Sequence, residues 1–147
     1  YPRWNLWFII VKRDIYLKAF EILNLKDRII MAEDVLMSFV LWNLSNKFCH
    51  ICDILYYYRQ NENSTTRSKN DEIISRNSKD RVFVIKKIKE LSKKHKFDRK
   101  ITKVFIDNLK IHEYYDRLIY HQISKRVFKI YDKYFRFKRR LRVKFGI

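Results

Sequence analysis

The distribution of apolar positions along the chain predicts a mostly helical protein. From Val35 to Leu44 only two residues are polar, which is typical of a helix that is buried on most sides, and we expect this helix to end near Asn46. An amphipathic helix is predicted before it, from Asp14 to about Leu23. Its apolar face is expected to consist of Tyr16, Leu17, Phe20 and Leu23.

Two further segments of the first half have patterns that are not helical. Residues 4–11 form a short, dense apolar run that predicts a buried strand or turn. Apolar and polar residues alternate from Lys47 to Arg59, as they do in a β-strand or a bent pair of strands. Residues 60–70 are all polar and predict a surface loop.

Helical spacing continues through the second half. One helix is expected to begin at Asp71, with apolar positions at Ile74, Val82, Ile85, Ile88 and Leu91. Another is expected from Asp98 toward Ser124. The last stretch, residues 124–147, has aromatic residues on one side of a predicted helix and cations on the other. That layout is typical of a helix at a membrane interface, but it equally fits a final helix that packs on the two before it.

Composition agrees with a helical protein that has one core and an anionic partner. The chain has 147 residues, 47% of them apolar, with one glycine and one proline, whereas sheet proteins with tight turns need more of both. The formal net charge is +18, of which residues 1–70 carry +3 and residues 71–147 carry +15. We therefore predict a first part at 1–70 and a basic helical extension at 71–147. A block of that charge attracts an anionic membrane surface or nucleic acid.

The cysteines and the length of the apolar runs bear on location. Two cysteines, Cys49 and Cys52, are too few for a disulfide framework, so a reducing cytosolic location is expected. The segment Cys49-His50-Ile51-Cys52 lacks companion ligands for tetrahedral zinc, and two buried structural cysteines are the favoured interpretation. No uncharged apolar run reaches the length of a membrane span, so we expect the chain to lie on a membrane or in solution.

Two adjacent acids, Glu33 and Asp34, interrupt the apolar run that opens the buried helix. No basic residue stands beside them in the sequence. One interpretation is a general base, because free backbone N–H groups and the macrodipole favour an ionised carboxylate in a first helical turn. The other is a pair of acids that merely caps the helix, and the residues alone favour this cap.

Five short motifs, taken in their order, resemble the second half of a bacterial family-2 glycosyltransferase with the GT-A fold. The motifs are Asn5-Leu6-Trp7, Lys12-Arg13-Asp14-Ile15-Tyr16, Glu33-Asp34, Tyr57-Tyr58-Arg59 and Asn61-Glu62-Asn63-Ser64-Thr65. They cover roughly the first 70 residues. The resemblance implies an α/β fragment, mostly α, that forms the acceptor-side half of a nucleotide-diphospho-sugar transferase domain and is followed by basic amphipathic helices.

The resemblance also implies an activity and the residues that perform it. Asp34 is expected to be the general base that takes a proton from the acceptor hydroxyl in an inverting sugar transfer, and Glu33 to orient the acceptor. A divalent metal ion, Mg²⁺ or Mn²⁺, is expected to stabilise the departing nucleoside diphosphate. Arg59 could bind a diphosphate through its forked donors or could equally be a surface charge. The expected substrate and phosphate contacts are Arg59, Ser64, Asn63 and Trp7.

The chain lacks the motifs of the nucleotide-binding half that such an enzyme requires. It contains no Asp-x-Asp, which would hold the metal ion and the sugar nucleotide in this family, and no glycine-rich segment that could cradle phosphates. We therefore expect no ligands for the metal ion in this chain and no turnover by the chain alone. The expected partners are a nucleotide-sugar donor, a polysaccharide or lipid-linked acceptor, and the inner face of the cytoplasmic membrane, where the protein would be peripheral. The alternative is a non-catalytic basic helical protein that binds nucleic acid or an assembly partner.

Overall fold

A computed structural model describes residues 4–26, 28–53, 55–57, 59, 70–119 and 124–145. Within these ranges the chain forms one short 3-10 helix and five α-helices, so the prediction of a mostly helical protein is confirmed. The 3-10 helix is Leu6–Phe8, and the α-helices are α1 (Arg13–Leu23), α2 (Glu33–Leu44), α3 (Asp71–Lys94), α4 (Arg99–Ile119) and α5 (Lys125–Phe145).

The α/β part of the fold prediction is wrong for the described residues, which contain no β-strand. A strand needs a neighbour that pairs its backbone N–H and C=O groups, and no other described segment provides one. In the segment expected to be a strand, Phe48 instead stacks on Trp42 of α2, with 4.1 Å between ring centroids. The side chain of Tyr57 is 84% exposed. Within the apolar run at residues 4–11, which was predicted to be a buried strand or turn, Leu6–Phe8 form the 3-10 helix and the described residues form no strand.

The core is built around α2, which packs against α1, α3, α4 and the 3-10 helix. All seven residues from Val35 to Leu41 are buried, as the run of apolar residues predicted. At the centre, the ring of Phe39 makes edge contacts with Phe97 and Phe105, at centroid distances of 5.6 and 5.5 Å. The same hydrophobic cluster contains residues of both predicted parts of the chain. The division into 1–70 and 71–147 stays a prediction.

Helix α1 packs only partly through the face that its sequence indicated, because Leu23 is the one residue of that face that is buried. Ala19 and Leu23 are buried, whereas Tyr16, Leu17 and Phe20 are exposed, Phe20 to 65%. The prediction followed the largest apolar side chains. The helix instead packs through the stripe that holds a small residue, Ala19, which permits a close approach to α2.

Helices α3 and α4 form an antiparallel pair joined by a short turn at residues 95–98. The side chain of Asn70 caps α3 by accepting hydrogen bonds from the N–H groups of Glu72 and Ile73, and Asp98 caps α4 in the same way. Between the two helices, Arg81 is buried in an ion network with Glu113 and Asp116 of α4. The buried apolar residues of α3 are Val84, Ile88 and Leu91, while Val82 is exposed.

Helix α5 packs against α4 near its own first half. The ring of Tyr131 stacks on Tyr114 at 4.5 Å, and the hydroxyl of Tyr115 donates to Asp132 at 3.2 Å. The described apolar residues of α5 nevertheless lie on the surface, with Ile130 64% and Phe137 60% exposed. The apolar side of α5 is therefore not a core face where the structure describes it.

Candidate functional site

The acid pair opens α2 directly after a turn with unusual backbone geometry. Ala32, the residue before Glu33, has φ 68° and ψ 20°, which is the left-handed helical region. A residue with a Cβ atom is disfavoured there by roughly 1–2 kcal/mol, so the surrounding structure must hold the turn in place. As a result, Glu33 and Asp34 stand side by side in the first turn of a buried helix.

Partial burial dominates the electrostatics of both carboxyl groups. Burial raises the pKa of Asp34 above its ordinary value of 3.8, although the backbone N–H of Val35 donates to its carboxylate at 2.8 Å and opposes the change. Burial also raises the pKa of Glu33, and the negative charges of Asp34 and Asp80 add to the effect. Among the described residues neither carboxylate is in an ion pair with a cation. From the sequence we expected the helix N-terminus to keep the carboxylates ionised. In the structure, the effect of burial on their pKa values is larger.

Asp80 on α3 is a third acid of this region, and sequence reasoning missed it. Its carboxylate accepts hydrogen bonds from the backbone N–H groups of Ile30 and Met31, both at 3.1 Å. It therefore holds the segment that leads into the acid pair. The signal available in the sequence was its isolation, because Asp80 is the only acid between Glu72 and Glu90 in a strongly basic stretch.

Of the other predicted site residues, the structure describes Trp7 and Arg59. Trp7 lies in the 3-10 helix, which packs against α2, and its ring contacts Phe8 and Tyr56 at centroid distances of 3.6 and 5.2 Å. Arg59 is exposed and forms no ion pair with another described residue. Tyr58, Asn63 and Ser64 lie outside the described residues, as do residues 60–69 of the loop predicted at 60–70.

The prediction that both cysteines are buried is wrong. Cys49 and Cys52 are both free thiols on the surface, because the segment expected to be a strand does not enter the core. The Sγ atom of Cys52 lies 3.6 Å from Nδ1 of His50. Among the described residues, no group of three or more His, Cys, Asp or Glu side chains is arranged to hold a metal ion. The residues that the structure describes therefore do not fit the divalent ion of a glycosyltransferase.

A basic hollow of about 560 Å³ lies at the turn between α3 and α4, away from the acid pair. It is lined by four cations, Lys89, Lys93, Lys96 and Arg99. The two hydroxyls in it have no proton to offer an anion: Thr102 donates to the carbonyl of Asp98, so Ser92 must donate to Thr102. Cations at the C-terminal end of a helix are also the ordinary response to its dipole. The hollow is thus a solvated basic surface.

None of the helices in the described ranges has the length and apolar character needed to cross a bilayer. Comparison of the chain with protein-family models, with curated proteins and with solved structures finds no match.

Proposed function

We propose that the chain is the acceptor-side half of an inverting, family-2-like glycosyltransferase, with Asp34 as the general base. Asp34 takes the proton of an acceptor hydroxyl while that oxygen bonds to the anomeric carbon of the donor sugar. The bond from this carbon to the nucleoside diphosphate breaks, and the diphosphate leaves with its electron pair. Glu33 orients the acceptor. The acceptor is a polysaccharide or a lipid-linked glycan.

The observation that carries the proposal is the acid pair at the start of α2. A general base works best when its pKa approaches the working pH, and partial burial moves the pKa of Asp34 in that direction. No cation among the described residues neutralises the pair, as one would in an ordinary structural ion pair. The left-handed Ala32 beside it is the kind of strained residue that clusters at functional sites.

The proposed enzyme needs a nucleotide-binding half that these 147 residues do not contain. In the proposed enzyme the metal ligands belong to that half; among the described residues of this chain, no group of three or more His, Cys, Asp or Glu side chains is arranged to hold the ion. An exposed aromatic surface formed by Trp7, Phe8 and Tyr56 supports the docking of another protein surface at this end. The chain alone is expected to show no sugar transfer, and turnover by the isolated polypeptide would contradict this part of the proposal.

A hybrid enzyme tests the chemistry. The chain replaces the acceptor-side half of a family-2 glycosyltransferase whose donor is known, and sugar transfer from that donor is measured. Asp34→Asn is expected to lower kcat by roughly 10²–10⁴-fold, because a positioned base contributes that much. Glu21→Gln, which removes an exposed acid of α1, is the matched control and should leave kcat unchanged.

Two results would refute the assignment. One is a hybrid in which Asp34→Asn transfers sugar as fast as the parent. The other is a folded hybrid that binds the donor and transfers sugar to none of a panel of polysaccharide and lipid-linked acceptors.

The same proposal places the protein on the inner face of the cytoplasmic membrane as a peripheral protein. The support is α5, where Val127, Ile130, Tyr134 and Phe137 are exposed at helical spacing. Residues 124–147 hold ten basic residues and one acid, Asp132. An exposed apolar stripe on a cationic helix fits the boundary between anionic headgroups and acyl chains. Nucleic acid is the alternative partner, but its phosphates attract the cations and leave the apolar stripe without a role.

Vesicle sedimentation tests the location. Binding to phosphatidylcholine vesicles is compared with binding to vesicles that also contain phosphatidylglycerol, and duplex RNA is tested in a parallel gel shift. The double variant Ile130→Glu/Phe137→Glu is expected to lose roughly tenfold or more in affinity for the anionic vesicles, since two apolar side chains no longer enter them.

The control is Tyr16→Glu/Phe20→Glu, which makes the same charge change at exposed apolar residues of α1. Its affinity for the anionic vesicles should fall only slightly, because the two added negative charges are repelled by the vesicles but no membrane-binding apolar side chain is lost. Equal losses in the two double variants, or RNA binding without vesicle binding, would remove the membrane from the proposal.

A further inference from the structure

The turn before the acid pair is held by a residue that lies 49 and 50 positions away in the sequence. One carboxylate oxygen of Asp80 accepts from the N–H groups of both Ile30 and Met31, each at 3.1 Å. These two N–H groups precede the left-handed Ala32, so the contact fixes the segment immediately before the backbone turns into α2.

The buried cation next to Asp80 in the sequence pairs with other acids. Arg81 is directed to α4, where it pairs with Glu113 at 3.5 Å and with Asp116. No described cation pairs with Asp80 itself. The two backbone N–H groups are therefore the partners of its carboxylate among the described residues, and a charged acceptor makes these hydrogen bonds stronger than neutral ones.

The contact also explains how the strained turn persists. An alanine in the left-handed region relaxes to an ordinary backbone conformation unless other contacts prevent it. Met31 and Ala32 are buried, and the preceding N–H groups are bound by Asp80. If the turn relaxed, the first residues of α2 would rotate, and the carboxylates of Glu33 and Asp34 would change direction.

We propose that Asp80 is a positioning residue, which holds the turn at residues 30–32 so that Glu33 and Asp34 keep a fixed direction at the start of α2. Its importance for catalysis rests on the proposed transferase function, whereas its effect on the turn does not. The proposal makes α3, in the basic second half of the chain, a structural part of the candidate site.

Amide hydrogen exchange of the full chain, followed by NMR, tests the contact directly. Asp80→Ala is expected to accelerate exchange at Ile30 and Met31 by roughly tenfold, because two hydrogen bonds to a charged acceptor are lost. Asp80→Asn retains an acceptor oxygen and should stay within about threefold of the parent. Glu90→Ala, at an exposed acid of the same helix, should have no effect at the turn.

A general loss of stability is separated from positioning by two further measurements. Core amides such as those of Val84 and Ile88 should keep their exchange rates in Asp80→Ala. Should that variant not fold, Asp80→Ala in an Ala32→Gly background is used, since glycine removes the strain at the turn. The pKa of Glu33, followed by side-chain NMR, should fall in Asp80→Asn, because a neighbouring negative charge is gone.

The outcomes separate this proposal from the transferase proposal. Unchanged exchange at Ile30 and Met31 in Asp80→Ala overturns the positioning role, and so does an equal acceleration at every amide. In an active hybrid enzyme, Asp80→Ala should lower kcat and Asp80→Asn should largely restore it. Altered exchange at the turn in a chain whose hybrid never transfers sugar would leave the positioning role standing and reject the transferase.

Discussion

At the scale of single residues, the raised pKa of Asp34 links the proposed chemistry to stability. The folded chain binds a proton at Asp34 more tightly than the unfolded chain does, so stability falls as pH rises from the ordinary value of 3.8 through the higher folded value. Asp34→Asn lacks this loss. We predict that the variant melts at a higher temperature than the parent at about pH 7 and that the difference disappears below pH 3.8.

Thermal unfolding followed by circular dichroism at the two pH values measures this difference. Glu21→Gln on the exposed surface of α1 is the control and should leave the melting temperature unchanged at both pH values. A lower melting temperature for Asp34→Asn at about pH 7 would mean that the carboxylate gains more from its hydrogen bond with the Val35 N–H than it loses by burial.

Ala32 gives a second prediction at this scale, which concerns the strain in the turn before the acid pair. Glycine adopts the left-handed region without a Cβ penalty, so Ala32→Gly is expected to raise the free energy of unfolding by about 1 kcal/mol. Urea unfolding measures the change. Ala19→Gly is the matched control, since it makes the same substitution within α1 and should lower stability. A destabilised Ala32→Gly would show that the turn is not strained.

The acid pair could be predicted from the sequence, whereas the residue that holds it could not. Glu33 and Asp34 stand out because they interrupt a long apolar run. Asp80 binds backbone N–H groups, which every residue has, across 49 and 50 positions. Such a contact leaves no complementary side chain in the sequence, so only the fold reveals it.

At the scale of elements, the buried ion network of α3 and α4 is expected to matter far more than exposed ion pairs. Arg81 is buried with Glu113, and removing one partner of a buried pair leaves an uncompensated charge. We predict that Arg81→Ala lowers the free energy of unfolding by about 3–5 kcal/mol. Arg136→Ala removes an exposed pair with Asp132 and should cost no more than about 1 kcal/mol.

Urea unfolding of both variants at neutral pH makes the comparison. Equal and small effects would indicate that water reaches the network when the helices move apart locally. Arg81→Met, which fills much of the same space without charge, should behave like Arg81→Ala, because both substitutions remove the same cation from beside two acids of α4.

The existence of each α-helix was predictable at this scale, but the packed faces were only partly so. Continuous apolar character identified α2, because all residues from Val35 to Leu41 are buried. On α1 side-chain size favoured Phe20, and on α3 helical spacing included Val82, but both side chains are exposed. The choice between stripes depends on the shape of the neighbouring helix. The strand prediction was wrong because alternation of apolar and polar residues does not by itself provide a neighbouring strand to pair with.

At the scale of the whole molecule, the net charge of +18 sets the response to salt. Two effects compete. Salt weakens exposed ion pairs such as Lys87–Glu90, each worth about 0–1 kcal/mol, and it also screens the mutual repulsion of the excess cations. The cations outnumber the acids by 34 to 16, so the repulsion is expected to dominate.

We therefore predict that the melting temperature rises when NaCl is increased from about 20 mM to about 300 mM, because the screening length falls to less than half over that range. The variant Lys89→Gln/Lys93→Gln/Lys96→Gln removes three charges from the basic hollow and should show a smaller rise with a higher starting value. The control is three lysine-to-arginine substitutions at the same positions, which keep the charge. A melting temperature that falls with NaCl would show that the ion pairs outweigh the repulsion, and the charge excess would then have to be neutralised within the fold.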